Sequence, residues 1–196
     1  MLVRWDQALG IDTPTLIAWT AHHGTIKLLF EIAYSVVSLE LMLLPALLAI
    51  LHYEKQLNEY LLVLSSVAIV GSLIYYFFPT AAPASVFDSS YFLHFQEDTV
   101  LKFQQIHHYI QPTTTEGGMI AFPSFHVIWA VMCAWVLREK WWLFVPVALT
   151  NLIAIIATVM LGWHYLVDAL AGIFIAFLAV MVVNLCFLRH KKNQYR

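Results

Sequence analysis

Long, mostly apolar runs are the feature that most constrains this chain. A helix must cover about 30 Å of hydrocarbon at about 1.5 Å per residue, so about 20 mostly apolar residues make one crossing. Five stretches meet that length, at residues 26–51, 60–78, 119–137, 141–161 and 164–188. Open sheet edges leave backbone groups unpaired in lipid, and the runs lack the two-residue alternation of a membrane barrel, so the spans are expected to be helices. The expected fold is all-α: a polytopic transmembrane helical bundle of about five spans, with a short amino-terminal helix around residues 13–20 and an outer interfacial helix. Residues 1–196 read as one membrane-embedded domain. Composition agrees, because 61% hydrophobic against 11% charged residues is more apolar surface than a soluble core of 196 residues can hide. Pro45 and Pro146 fall inside spans and are expected to kink them.

Charge sets the expected orientation. Lys and Arg favour the cytoplasmic side, and residues 189–196, Arg-His-Lys-Lys-Asn-Gln-Tyr-Arg, are the densest basic segment. With that tail cytoplasmic, counting back through five spans puts the connections near Lys55 and at Arg138-Glu139-Lys140 on the same side. The long polar segment 79–118, and the starts of the third and fifth spans, then lie on the outer side. A net charge of -2 with scattered cations offers no basic face for nucleic acid. Cys133 and Cys186 sit in apolar runs and read as small hydrophobes, not as a disulfide framework. Residues 91–110 of the outer segment read as an amphipathic helix on the membrane surface, with Phe92, Phe95, Phe103 and Tyr109 towards lipid. It is expected to serve as a connector or as a lid. Trp141, Trp142 and Trp163 fall where interfacial anchors are expected.

The two outer span starts carry ionisable groups. His164 and Asp168 open the fifth span, and a charge in a span costs roughly 2.5 to 3.5 kcal/mol on insertion scales, which makes function the default reading. Four-residue spacing on a helix would put both on one face, with the carboxylate accepting a hydrogen bond from one imidazole nitrogen and the other nitrogen pointing outward. An imidazole held this way can attack phosphorus and persist as a phosphohistidine while the carboxylate offsets the ring charge. In Phe122-Pro123-Ser124-Phe125-His126, Pro and Ser read as a helix start, where free amides and the dipole bind anions. Ser124 would add a donor to a phosphoryl oxygen, and His126 would protonate the leaving alkoxide. Glu31, Tyr34 and Glu40 in the first span are expected to face the bundle interior. His22-His23 and His107-His108 lack an acidic or thiolate partner at ligand spacing, so neither a metal nor another cofactor is expected.

These residues resemble the type 2 phosphatidic acid phosphatase superfamily, whose motifs are K-x6-R-P, P-S-G-H and S-R-x5-H-x3-D. Pro123-Ser124-Phe125-His126, with an aromatic in place of Gly, and Gly162-Trp163-His164-Tyr165-Leu166-Val167-Asp168 look most like its inositolphosphotransferase branch, which includes the inositol phosphorylceramide synthases. The resemblance implies a nucleophilic role for His164, an orienting role for Asp168, an acid role for His126 and phosphate contact for Ser124. The first-motif Lys and Arg have no counterpart in residues 75–83, and Thr158 occupies the third-motif Arg position, where it is expected at the phosphate. Fewer cations suit a singly charged diester better than a monoester dianion. The expected function is therefore lipid phosphatase or phosphotransferase chemistry on a phospholipid, with headgroup transfer or diester cleavage foremost and water, a lipid alcohol or a polyol as acceptor. A phosphatidate-type phosphatase and a catalytically inactive lipid-binding or transport protein stand as alternatives, as does a scaffold subunit.

Overall fold

A computed structural model of the chain describes residues 1–115, 118 and 120–194, with side chains through residue 186. The described residues form α1 (Leu2–Ala8), α2 (Thr13–His22), α3 (Gly24–Ile50), α4 (Glu54–Phe77), α5 (His94–His107), α6 (Phe125–Val136), α7 (Trp141–Met160) and α8 (Leu166–Gln194). No strand occurs among them. Four helices are long and apolar enough to cross a membrane: α3, α4, α7 and the Leu166–Cys186 part of α8. Their outward faces expose large hydrophobic residues such as Leu28, Leu39, Ile69, Leu149 and Phe174, as lipid contact requires. The protein is a multi-pass membrane protein with an all-helical fold. Pro45 and Pro146 lie inside α3 and α7 as expected.

The expected third span, 119–137, is corrected. Only Phe125–Val136 is helical, and twelve residues cover about 18 Å; Met119 lies outside the described residues. Hydropathy detects apolar composition whether lipid or protein covers it. Here the cover is protein, because α6 packs against α3, α4, α7 and α8, with Ile128, Met132, Cys133 and Val136 fully buried. The non-helical backbone before it is tolerated because its polar groups are satisfied internally. The Phe122 amide donates to Thr80 Oγ1 at 3.0 Å, and the Ser124 amide donates to the Asp168 carbonyl at 3.2 Å. Gly172 of α8 has no side chain where a Cβ would meet the Ser124 carbonyl at 2.8 Å, so α8 can press directly on the start of α6.

The amino-terminal region forms two helices, with α1 against α8 and α2 against α3 and α7. The expected surface helix is α5, but only part of its aromatic set faces outward. Phe95 and Tyr109 are exposed, whereas Phe92 packs towards Gly162 and Phe103 turns inward. Gln96 docks the helix: its buried side chain donates to the Leu161 carbonyl at 2.9 Å and accepts from the Leu93 amide at 2.8 Å. α5 therefore lies over the end of α7 and the turn that follows. The side chains of the basic segment 189–196 lie outside the described residues.

Candidate active site

The turn between α7 and α8 carries the third motif, with His164. Gly162 adopts φ +75°, a left-handed conformation that suits glycine, and reverses the chain. The Thr158 carbonyl accepts both the Trp163 and His164 amides at 3.0 Å, tying the turn to the end of α7. α8 starts only at Leu166, so His164 precedes the helix and four-residue spacing does not put it on a shared helical face with Asp168. The expected His164–Asp168 hydrogen bond is corrected accordingly: Nδ1 and Oδ2 stand 3.7 Å apart, within ion-pair range but too far for a hydrogen bond. Nδ1 instead donates to the Ala121 carbonyl at 2.9 Å. That bond selects the Nδ1–H tautomer of the neutral ring and puts its lone pair on Nε2. Asp168, fully buried, accepts from the Tyr165 amide at 3.0 Å, and its Oδ1 has no hydrogen-bond partner among the described residues.

Asp6 completes the turn from the other end of the chain. It is 1% exposed, and its two carboxylate oxygens accept from the Leu166 and Val167 amides at 2.8 and 3.0 Å. A carboxylate on first-turn amides satisfies donors the helix cannot, and it complements the helix dipole. Sequence reasoning missed Asp6, because nothing local marks a contact made across 160 residues.

The second motif is carried by α6. Ser124 caps it, its hydroxyl accepting from the Val127 amide at 3.4 Å, as a helix-start reading expects. His126 in the first turn then faces α3, where Tyr34 stacks on it with ring centroids 4.1 Å apart and an 18° tilt. The Tyr34 hydroxyl lies 3.1 Å from His126 Nδ1. Tyr34 also stacks on Trp163 at 5.3 Å. Trp163, expected to anchor depth in the membrane, is instead part of the site; the φ reversal at Gly162 turns it towards α3. The signal for Tyr34 was present in the sequence, as a polar tip inside a span near Glu31.

His126 and His164 lie with ring centroids 6.4 Å apart, and both line one cavity of about 60 Å³. A water-sized group needs about 10–15 Å³ on this measure, so several heavy atoms fit between the rings. Tyr34, Trp163, Ala121 and the α5 residues Thr99, Val100 and Phe103 complete most of the wall. No Lys, Arg, Asp or Glu is among the described lining residues. Ser124 and Thr158 are buried but do not line the cavity. The Thr158 hydroxyl donates back to the Ile155 carbonyl at 2.7 Å, so its contact with the site runs through its own carbonyl rather than its side chain. His94, Lys102 and His107 do not line the cavity either: His94 pairs with Asp98 at 3.1 Å, Lys102 donates to the Thr115 carbonyl at 3.1 Å, and His107 stacks on Phe103. Among the described residues no three His, Cys, Asp or Glu side chains gather at metal-binding distance.

No curated protein and no solved structure matches the chain significantly. A family model, described as the PAP2 superfamily, matches residues 1–182. That match includes both histidine motifs, the Asp6 clamp and most of α8. The chain thus belongs to the PAP2 superfamily, and at that coarse level it is a membrane enzyme of the lipid phosphatase and phosphotransferase type.

Proposed function

We propose that the protein transfers the phosphoryl-headgroup part of a phospholipid diester through a phosphohistidine, without a metal. The observation that carries this reading is the pair of imidazoles on one cavity, with His164 held as the Nδ1–H tautomer by Ala121. In the first step Nε2 of His164 forms a bond to phosphorus, the bond to the leaving oxygen breaks, and His126 gives that oxygen its proton. In the second step an acceptor hydroxyl forms the new P–O bond, the P–N bond breaks, and His126 takes the acceptor's proton. Asp168 stands close enough to offset the positive charge that develops on the phosphorylated ring. Ser124 caps α6 and aligns its first-turn amides with the bound phosphate, and Thr158 holds the backbone of His164.

Two features favour a diester donor. The first-motif cations are absent from residues 75–83, with Thr158 at the remaining Arg position. Among its described lining residues the cavity has no Lys or Arg, where a dianion would call for guanidinium or ammonium groups. The Pro123-Ser124-Phe125-His126 motif and the motif at residues 162–168 are what liken the chain to inositolphosphotransferases, with a lipid or polyol hydroxyl as acceptor. We place the histidine end of the bundle on the outer side and the Arg138 end on the cytoplasmic side, from the basic connections and tail.

The test is turnover by detergent-purified protein, wild type beside His164→Ala, on phospholipid monoesters and diesters in chelator, with and without alcohol acceptors. Diester consumption by wild type alone, with transfer to an added alcohol, is the expected result. Faster release of phosphate from phosphatidic acid would replace it with a monoester phosphatase. Turnover that survives His164→Ala would remove the phosphohistidine.

A further inference from the structure

We infer that a second cavity, between α3 and α5, binds the carbon skeleton of an amphiphilic alcohol: the alcohol that leaves in the first step and the one that accepts in the second. This rests on the phosphoryl transfer proposed above. The cavity measures about 540 Å³ and is lined by Glu31, Ser35, Leu93 and Phe95, and it shares Tyr34 and Trp163 with the histidine cavity.

The geometry of displacement assigns its occupant. At about 60 Å³ the histidine cavity accommodates a phosphoryl group but no lipid tail. In-line attack by His164 puts the leaving oxygen on the far side of phosphorus, beside His126. Tyr34 covers His126 by stacking and stacks in turn on Trp163, so a chain attached to that oxygen leaves phosphorus on the side of the Tyr34–Trp163 wall. The larger cavity begins at that wall. The acceptor bonds to phosphorus from the same side as the leaving oxygen departed, since both exchange with the single bond to His164, so one cavity serves both alcohols.

The lining fits such a molecule. Ser35 lies on an exposed face of α3 that continues through Leu28, Ile32 and Leu39 at helical spacing, all more than half exposed on a spanning helix. The cavity therefore opens sideways to hydrocarbon, the route an amphiphile takes from a bilayer. Leu93, Phe95 and Leu161 supply apolar contact for a chain. Ser35 Oγ donates to the Glu31 carbonyl at 2.9 Å and keeps acceptor capacity for a hydroxyl, and the Glu31 carboxylate, 3.8 Å from Lys27, adds another acceptor.

The test fills the cavity. Ser35→Trp adds bulk to an exposed helix position, and Leu43→Trp puts the same side chain elsewhere on the exposed surface of α3. The readout is the ratio of kcat/KM for a long-chain phosphodiester lipid to that for bis(4-nitrophenyl) phosphate. Ser35→Trp is expected to lower this ratio about tenfold, with Leu43→Trp at the wild-type ratio. A ratio unchanged by Ser35→Trp, or lowered equally by both variants, overturns the proposal. A second measurement does not depend on turnover: photolabelling with a diazirine-bearing diacylglycerol in mixed micelles, mapped by peptide mass spectrometry. Label on the peptides containing Ser35 and Leu93 in wild type, lost in Ser35→Trp, is expected. Label that avoids those peptides, or that persists in the variant, overturns the cavity assignment. Protein that turns over no phosphoester yet labels there would overturn the phosphoryl-transfer reading and leave the alcohol site standing.

Discussion

At the Arg138 end of α6 the buried Glu59 carboxylate takes two hydrogen bonds from the Arg138 guanidinium, at 2.8 and 3.1 Å. That guanidinium lies 4.0 Å over the Trp135 ring, and Glu139 accepts from Gln56 at 3.0 Å and from Lys55. At the opposite end Asp168 is buried as deeply, yet it holds one amide, keeps Oδ1 without a hydrogen bond among the described residues, and stands off from His164. A buried carboxylate that is fully satisfied locks helices together. One that retains acceptor capacity beside a ring lining a cavity can respond when the ring gains charge. The two carboxylates are alike in burial and differ in saturation of hydrogen bonding, the contrast expected between a structural charge and a catalytic one.

The sharpest way to break the comparison is Asp168→Asn. It keeps shape and removes charge, and it is expected to lower kcat on the preferred donor by about a hundredfold or more while the protein stays folded. Steady-state turnover beside a thermal melt in detergent checks it; retained kcat would make Asp168 merely a helix cap. Glu59→Gln is the counterpart. It removes the nearer of two carboxylates paired with Arg138, Glu139 standing 4.0 Å away, and because the guanidinium also reaches water in part, the loss is expected near the low end for a broken buried pair, about 3 kcal/mol. The melting temperature should fall while kcat per folded molecule is unchanged, the reverse of Asp168→Asn.

Asp6→Ala probes the clamp that joins the two categories. Losing a cap of this kind costs about 1–2 kcal/mol, and the loosened turn should also reduce kcat several-fold. Asp6→Asn, which keeps one acceptor oxygen, should recover part of both; a melt shift with unaltered kcat would show that the clamp holds α8 but not His164. The smallest effect is one of pH. Glu139 lies on the connection between α6 and α7, and the Lys55 hydrogen bond holds its carboxyl below the ordinary 4.5. A group with a lowered folded pKa contributes stability fully present above its unfolded value and lost as pH falls through the folded one. Melts recorded from neutral pH into acid should show a slight loss below about pH 4, flattened by Lys55→Ala.

Much of the candidate site was legible before the fold was known. His126, His164 and Asp168 stood out because ionisable groups at span starts are costly, and the fold brings all three together. The partner of His164 was misread, since four-residue spacing carries a pairing only when both residues are inside the helix, and α8 begins two residues after His164. Tyr34 and Trp163 read as an interior-facing tyrosine and an interfacial anchor, yet together they form the wall beside His126. Thr158 was expected at the phosphate by correspondence of motif position, but a threonine inside a helix readily donates to its own backbone, and this one does.

Hydropathy and charge in the sequence by themselves determined that this chain is an all-helical membrane protein, because apolar runs near twenty residues with no strand periodicity admit no other spanning structure. Only tertiary structure decided that the run at 119–137 becomes a short, protein-covered helix and not a fifth lipid-facing span, since composition is blind to what surrounds a side chain. Tertiary structure likewise decided that Asp6 clamps α8, that Ala121 sets the His164 tautomer and that Tyr34 backs His126. Each is a contact between residues distant in sequence, and local propensity or spacing carries no information about a pairing that exists only once the helices pack.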